Sequence, residues 1–67
     1  MNYNLANAYY LIKDFDNAIK WYKEAISLDP ERAESHYNLG NAFSAKFEYN
    51  KAIASFNKSI ELDPENK

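Results

Sequence analysis

Apolar residues recur along this chain every three or four positions, which is the spacing of one face of an α-helix. The first half holds two such runs, separated by a short polar break at Lys13 and Asp14. The runs are Leu5, Ala8, Tyr9 and Ile12, followed by Phe15, Ile19, Tyr22, Ala25 and Ile26. The second half shows the same pattern. We therefore expect an all-α fold of four amphipathic helices, near residues 2–12, 16–28, 32–45 and 50–62.

The second half of the chain also repeats the first residue by residue. The tetrapeptide LDPE occurs at residues 28–31 and again at residues 62–65, an offset of 34 positions. At the same offset Tyr3, Asn4, Leu5, Asn7 and Ala8 are identical to Tyr37, Asn38, Leu39, Asn41 and Ala42. A fixed period of this length indicates a repeat architecture. We expect two units, residues 1–32 and 33–67, each an antiparallel pair of helices joined by a short loop.

The repeated tetrapeptide predicts a corner between units. We expect its leucine to be the last core contact of a helix, and Asp-Pro to end that helix because proline disfavours α geometry in the residue before it. Proline then suits the first turn of the next helix, where glutamate interacts favourably with the helix dipole. Within each unit, Asp16 or Asn50 is expected to cap the second helix by accepting a hydrogen bond from a free backbone N–H.

These positions resemble the tetratricopeptide repeat, a 34-residue helix-turn-helix unit with the pattern W-x₂-L-G-x₂-Y, A-x₃-F and P. The second unit matches at Leu39, Gly40, Phe43, Ala52, Phe56 and Pro64, and the first unit has Leu5, Ala6, Tyr9, Ala18, Tyr22 and Pro30 there. The resemblance covers the whole chain. It implies an α-solenoid in which the small residues permit close approach of helices and the rings fill the wider gaps.

The chain departs from the family pattern at several positions. Asn2 and His36 stand where the family usually has tryptophan, and Lys13 and Phe47 stand where it usually has a glycine that ends the first helix. If Lys13 and Phe47 keep a positive φ, each costs about 1 kcal/mol relative to glycine. Ser59 replaces a packing alanine.

The resemblance also implies a concave groove lined by the first helix of each unit. Eight residues would line it: Tyr3, Asn7, Tyr10, Leu11, Tyr37, Asn38, Asn41 and Ser44. Amides donate and accept at once, and tyrosines supply rigid apolar area with a polar tip, so this set suits an extended peptide. The alternative is that these residues are simply those of a typical repeat. Some family members clamp a C-terminal carboxylate with lysine and arginine beside two asparagines, but Tyr3 occupies the lysine position, which argues against a clamp.

Composition excludes several other classes of function. The 67 residues include no cysteine, and ten acidic against eight basic residues give a net charge of −2. The charges are interspersed, which does not favour nucleic acid, and no apolar run approaches the roughly 18 residues of a membrane span. We expect a soluble intracellular protein, located in the cytoplasm or in another compartment of the cell.

No constellation for catalysis is evident. His36 is the only histidine, and it has no second histidine or thiolate with which to hold a metal, so we expect it to pack or to cap. Gly40 stands alone inside a helix and forms no phosphate loop. Tyr22 takes a core position, and the adjacent Trp21 is expected to be a half-buried packing residue on the convex side, with a contact point for a partner as the alternative. The chain is therefore expected to use no metal or cofactor and not to be an enzyme.

The leading function is a non-catalytic interaction module that recognises a peptide or protein surface in the concave groove. Self-association is the alternative, and an enzyme is a remote alternative that only a convergent polar pocket would revive. A repeat cannot bury its apolar face alone, and about three repeats are needed for stability. We expect two units to leave one face open, and the residues concerned are Phe47, Tyr49, Ile53, Phe56 and Ile60. The complementary face at the other end includes Leu5, Tyr9 and Ile12. Molecules would then stack end to end or exchange helices.

Overall fold

The fold is a stack of two helical hairpins. A computed structural model describes residues 2–64, with side chains described from residue 4 onward. Over this range there are four helices: α1 (Asn2–Leu11), α2 (Phe15–Leu28), α3 (Ala33–Ala45) and α4 (Tyr49–Leu62). Helix α1 packs on α2, α2 on α3, and α3 on α4. The all-α prediction is confirmed, and each helix boundary lies within one residue of its expected place. The division into units 1–32 and 33–67 stays a prediction.

Small residues and rings form the core, as the repeat pattern predicted. The buried cluster consists of Ala6, Ala18, Tyr22, Leu39, Ala42, Phe43 and Ala52. Gly40 is also buried, and a Cβ atom placed there would lie only 2.7 Å from Cε1 of Phe56. Close packing of α3 against α4 therefore depends on the missing side chain at this position.

The expected caps of the second helices are wrong. Helix α2 begins at Phe15, one residue early, so Asp14 is its N-cap. The Asn17 backbone N–H donates to Asp14 Oδ1 at 3.4 Å, and Asn17 Nδ2 donates to Oδ2 at 2.7 Å. Asp16 lies inside the first turn of the helix instead. In the second hairpin the N-cap of α4 is Glu48, which makes no side-chain capping bond, rather than Asn50.

The corner between hairpins differs from the expectation in two respects. Leu28 is exposed rather than a core contact. Pro30 lies in the turn, and α3 begins only at Ala33, because the chain needs residues 29–32 to reverse direction. Asp29 does end α2: its φ is −147° and its ψ is 79°, and its N–H donates to the carbonyl of residue 25. That extended geometry is the one a following proline favours.

His36 ties α3 to this corner. Its Nε2 lies 2.9 Å from the Pro30 carbonyl oxygen, a hydrogen bond that the ring donates when Nε2 carries the proton. Glu34, rather than Glu31, occupies the first turn of α3, where a carboxylate favours the helix dipole. His36 therefore has a structural hydrogen bond at the corner, although within residues 4–64 it neither joins the buried cluster nor caps a helix.

Both hairpin turns contain a residue with left-handed backbone geometry. Lys13 has a φ of 68° and Phe47 a φ of 65°. In each turn the next residue closes the helix end, with Asp14 N–H donating to the Tyr9 carbonyl and Glu48 N–H to the Phe43 carbonyl, both at 2.9 Å. This geometry normally favours glycine at the left-handed position. The condition stated for these two residues, a positive φ, is therefore met.

A network of ion pairs joins the two hairpins near the turn between α3 and α4. Lys46, the C-cap of α3, contacts Asp16 at the start of α2, and its Nζ lies 3.5 Å from Glu48 Oε2. Lys51 Nζ lies 3.2 Å from the other oxygen of Glu48. The hydrogen bond with Asp16 raises the pKa of Lys46, and the hydrogen bond from Lys51 lowers the pKa of Glu48.

We predict that acid weakens the fold through Glu48. Because its pKa in the folded chain is lowered from 4.5, its contribution to the free energy of unfolding is present above that pH. The contribution is lost as the pH falls through the lowered pKa. Thermal melts between about pH 5 and about pH 3 should therefore lose less stability in Glu48→Gln than in wild type. Glu24→Gln is the matched control, since Glu24 forms no ion pair within residues 4–64; equal acid sensitivity of all three chains would contradict the assignment.

Candidate functional site

The candidate groove residues lie on α1 and α3. Helical spacing places Asn7, Tyr10 and Leu11 on one face of α1, and the corresponding face of α3 carries Tyr37, Asn38, Asn41 and Ser44. Leu11 and Tyr37 are exposed, whereas the asparagines, Tyr10 and Ser44 are half-buried. The side chain of Tyr3 lies outside the described residues. These faces remain the candidate site.

The two equivalent asparagines, Asn7 and Asn41, have different environments. The Tyr22 hydroxyl donates a hydrogen bond to Asn7 Oδ1, so a core residue of α2 fixes the orientation of this amide. At the equivalent contact in the second hairpin the ring is Phe56, which has no hydroxyl. The Asn41 side chain accordingly makes no hydrogen bond within residues 4–64. Asn41 therefore keeps both its donor and its acceptor, while the oxygen of Asn7 is engaged.

Each of the two described tyrosines on these faces is supported by a ring from the next helix. Tyr10 meets Phe15 edge-on, with ring centroids 5.4 Å apart. Tyr37 is tilted against Phe56, with centroids 5.7 Å apart. Such ring pairs favour defined orientations. Both tyrosines are thus positioned by the fold, whereas Leu11 projects an exposed aliphatic side chain.

Charge is segregated between the helices. Helix α1 contains no lysine, arginine, aspartate or glutamate, and α3 contains only Glu34. The remaining helical charges lie on α2 and α4, at Asp16, Lys20, Lys23, Glu24, Lys51, Lys58 and Glu61. The faces of α1 and α3 can therefore recognise a ligand by hydrogen bonds and apolar contact rather than by ion pairing.

The residues expected to mediate self-association fall into three groups. Phe47 and Tyr49 are exposed and meet each other edge-on at the turn between α3 and α4, with centroids 6.2 Å apart. Ile53 and Ile60 are exposed along α4. Phe56 is half-buried and packs inside its hairpin against Tyr37. Of these five residues, Ile53 and Ile60 alone form an uncovered apolar row along a helix.

Trp21 is a packing residue. It is half-buried and contacts the core cluster, and Lys20 Nζ lies 5.3 Å from the centroid of its ring. Within residues 2–64 no helix is long and apolar enough to cross a membrane. The same part of the chain contains no group of three histidine, aspartate or glutamate side chains that could hold a metal ion.

Family models match this arrangement of helices. A model described as TPR repeat matches residues 6–46, which is more than half of the chain, and a model described as Tetratricopeptide repeat matches residues 33–66. A comparison with curated proteins finds no match. Repeats of this kind are generally protein-interaction modules. The two hairpins, their small-residue core and both matches show that the chain belongs to the tetratricopeptide repeat family.

Proposed function

We propose that this chain is a non-catalytic interaction module that binds an extended peptide segment along the groove faces of α1 and α3. The observation that supports it is the Asn41 amide, which is half-buried and makes no hydrogen bond within residues 4–64. It shares one face of α3 with Tyr37 and Ser44. An amide presents a donor and an acceptor together, as the backbone of an extended peptide requires.

The neutral character of α1 and α3 defines the ligand further. Leu11 and Tyr37 are exposed beside the half-buried amides and offer apolar contact to ligand side chains. Because only Glu34 is charged on these two helices, ion pairing contributes little to binding. We propose a peptide with apolar or aromatic side chains, whose affinity changes little with salt. Tyr3 belongs to this proposal through its place in the repeat.

The groups with shifted pKa values do not indicate catalysis. The pKa of Lys46 is raised and the pKa of Glu48 is lowered. Both pKa shifts follow from the ion pairs that join the hairpins, and structural ion pairs perturb pKa values without any catalytic role. An interaction module, rather than an enzyme, is the function that these side chains support.

Asn41→Ala is expected to weaken peptide binding by roughly 1 to 2 kcal/mol, because the ligand backbone loses its partner amide. The ligands would be peptides selected by display on the wild-type chain. Fluorescence anisotropy would give the dissociation constants, and circular dichroism would confirm unchanged helicity.

Asn57→Ala is the matched control for this experiment. It makes the same substitution at an exposed position of α4, outside the groove faces of α1 and α3. It should leave the affinity unchanged when binding is measured at a protein concentration too low for self-association. Equal affinities of wild type and Asn41→Ala across several selected peptides would show that the groove assignment is wrong. Binding lost equally in Asn41→Ala and Asn57→Ala would also contradict it.

A further inference from the structure

The packing of α2 on α3 shows how one hairpin recognises the next. Asp16 of α2 contacts Lys46, and Lys23 Nζ of α2 lies 5.8 Å from the ring centroid of Phe43 in α3. Asp16 and Lys23 are seven residues apart and so lie on one side of α2. Ile19 lies between them and Ile26 continues the row, and both isoleucines are half-buried against the core. We call Asp16, Ile19, Lys23 and Ile26 the α2 stripe.

Helix α4 carries an equivalent row that no described residue covers. Thirty-four positions after the α2 stripe come Asn50, Ile53, Asn57 and Ile60, here called the α4 stripe. The two isoleucines are conserved between the stripes, but on α4 they are 56% and 58% exposed. Isoleucines that pack half-buried against the core on α2 are therefore left in contact with solvent on α4.

The opposite side of the interface is also duplicated. On α3, Phe43 and Lys46 meet side chains of α2, and Leu39 and Ala42 lie on the same side of α3. The equivalent α1 face is Leu5, Ala8, Tyr9 and Ile12. Leu39 is 7% exposed and Ala42 fully buried. Their counterparts are uncovered, since Leu5 is 40% exposed and Ala8 is exposed as well.

We propose that the α4 stripe of one molecule packs against the α1 face of a second copy, repeating the α2–α3 interface between molecules. A second copy is the occupant because the chain carries an uncovered equivalent of each side of its own α2–α3 interface. In that internal interface the two kinds of surface already pack together. Two isoleucines on one side, and a leucine and an alanine on the other, are identical to their covered counterparts. The contact is heterologous and does not close, so it produces linear stacks. It is independent of the groove faces of α1 and α3.

The contact between molecules is uncharged, unlike its internal template. Ile12 stands in the place of Lys46 and Asn50 in the place of Asp16, so the ion pair has no counterpart. Tyr9 and Asn57 likewise replace the Phe43 ring and the Lys23 ammonium above it. Association should therefore depend on apolar burial and persist at high salt.

Two variants that each block one surface test this proposal. Ile60→Glu blocks the α4 stripe and Ala8→Glu blocks the α1 face, because each would bury an unpaired carboxylate in the contact. Sedimentation velocity from micromolar to millimolar concentration should show wild-type masses that grow beyond a dimer. Each variant alone should stay monomeric over that range, because the blocked surface no longer packs against a second copy. An equimolar mixture should form a dimer and nothing larger, since one free α1 face meets one free α4 stripe.

Leu28→Glu is the matched control. Leu28 is exposed and lies about 200° around α2 from Ile26, so this variant should associate like wild type. Circular dichroism would verify that all variants keep wild-type helicity, as expected for exposed positions. A wild-type chain that remains monomeric, or whose mass stops at a dimer, would overturn the stacking proposal. So would association that persists in both blocked variants, or a mixture that stays monomeric.

Discussion

Tyr22→Ala is expected to lower the free energy of unfolding by about 3 to 5 kcal/mol, the usual cost of truncating a fully buried ring. Tyr22 is 1% exposed and is the largest fully buried side chain of the described core. Its hydroxyl also donates to Asn7 Oδ1. At about 0.05 to 0.15 kcal/mol per residue, a chain of this length has about 3 to 10 kcal/mol of stability in total. The variant should therefore lose a large share of that stability.

Tyr22→Phe separates the ring from its hydrogen bond. This control keeps the packing and removes only the hydroxyl, so it should cost about 1 kcal/mol. Urea denaturation followed by circular dichroism would measure both variants. Tyr22→Ala with a midpoint close to that of wild type would contradict the central role of this ring.

Phe56→Ala provides a comparison at the equivalent position of the second hairpin. Phe56 is half-buried. Tyr22 is more deeply buried, and α3 packs on the helix that carries it. Truncation of Phe56 should therefore lower the free energy of unfolding by less than truncation of Tyr22, because the Phe56 ring buries less apolar area. If the two truncations cost the same, the difference in burial between the hairpins would not govern their stability.

The fold could be predicted because its signals are local and occur twice. Helical spacing of apolar residues identified four helices, and the repeat identified the small core residues Ala6, Ala18 and Ala52 before any contact was known. The place of Lys13 and Phe47 in the repeat identified them as the turn positions where a positive φ could occur, and the structure shows that both have one. Caps were less predictable, because a one-residue shift of the start of α2 moved the capping role from Asp16 to Asp14.

The candidate site could be predicted only in part, because its details depend on contacts between helices. Sequence reasoning placed Asn7 on the groove face but could not show that Tyr22, fifteen residues away, engages its amide oxygen. The available signal was the tyrosine itself, since a buried hydroxyl needs a partner and phenylalanine at position 56 does not. The ion pair between Asp16 and Lys46 was missed for the same reason.

The double variant Lys13→Gly, Phe47→Gly is expected to raise the free energy of unfolding by about 2 kcal/mol. Both residues hold a φ near that of a left-handed helix, 68° and 65° respectively, where a Cβ atom crowds the backbone and glycine does not. About 1 kcal/mol is gained at each turn, after allowance for the greater freedom of glycine in the unfolded chain. For a domain of this size the melting temperature should rise by roughly 10 °C.

Alanine at the same positions is the control that isolates backbone strain. Phe47→Ala removes the ring and its contact with Tyr49 but keeps the Cβ atom, so it should not stabilise the chain. The difference between Phe47→Gly and Phe47→Ala then reports the strain alone, and the same holds for Lys13. Calorimetric melts at one low protein concentration would measure the series without a contribution from association. Glycine variants no more stable than the alanine variants would mean that the left-handed geometry costs nothing at these turns, and that the repeat tolerates lysine and phenylalanine there without penalty.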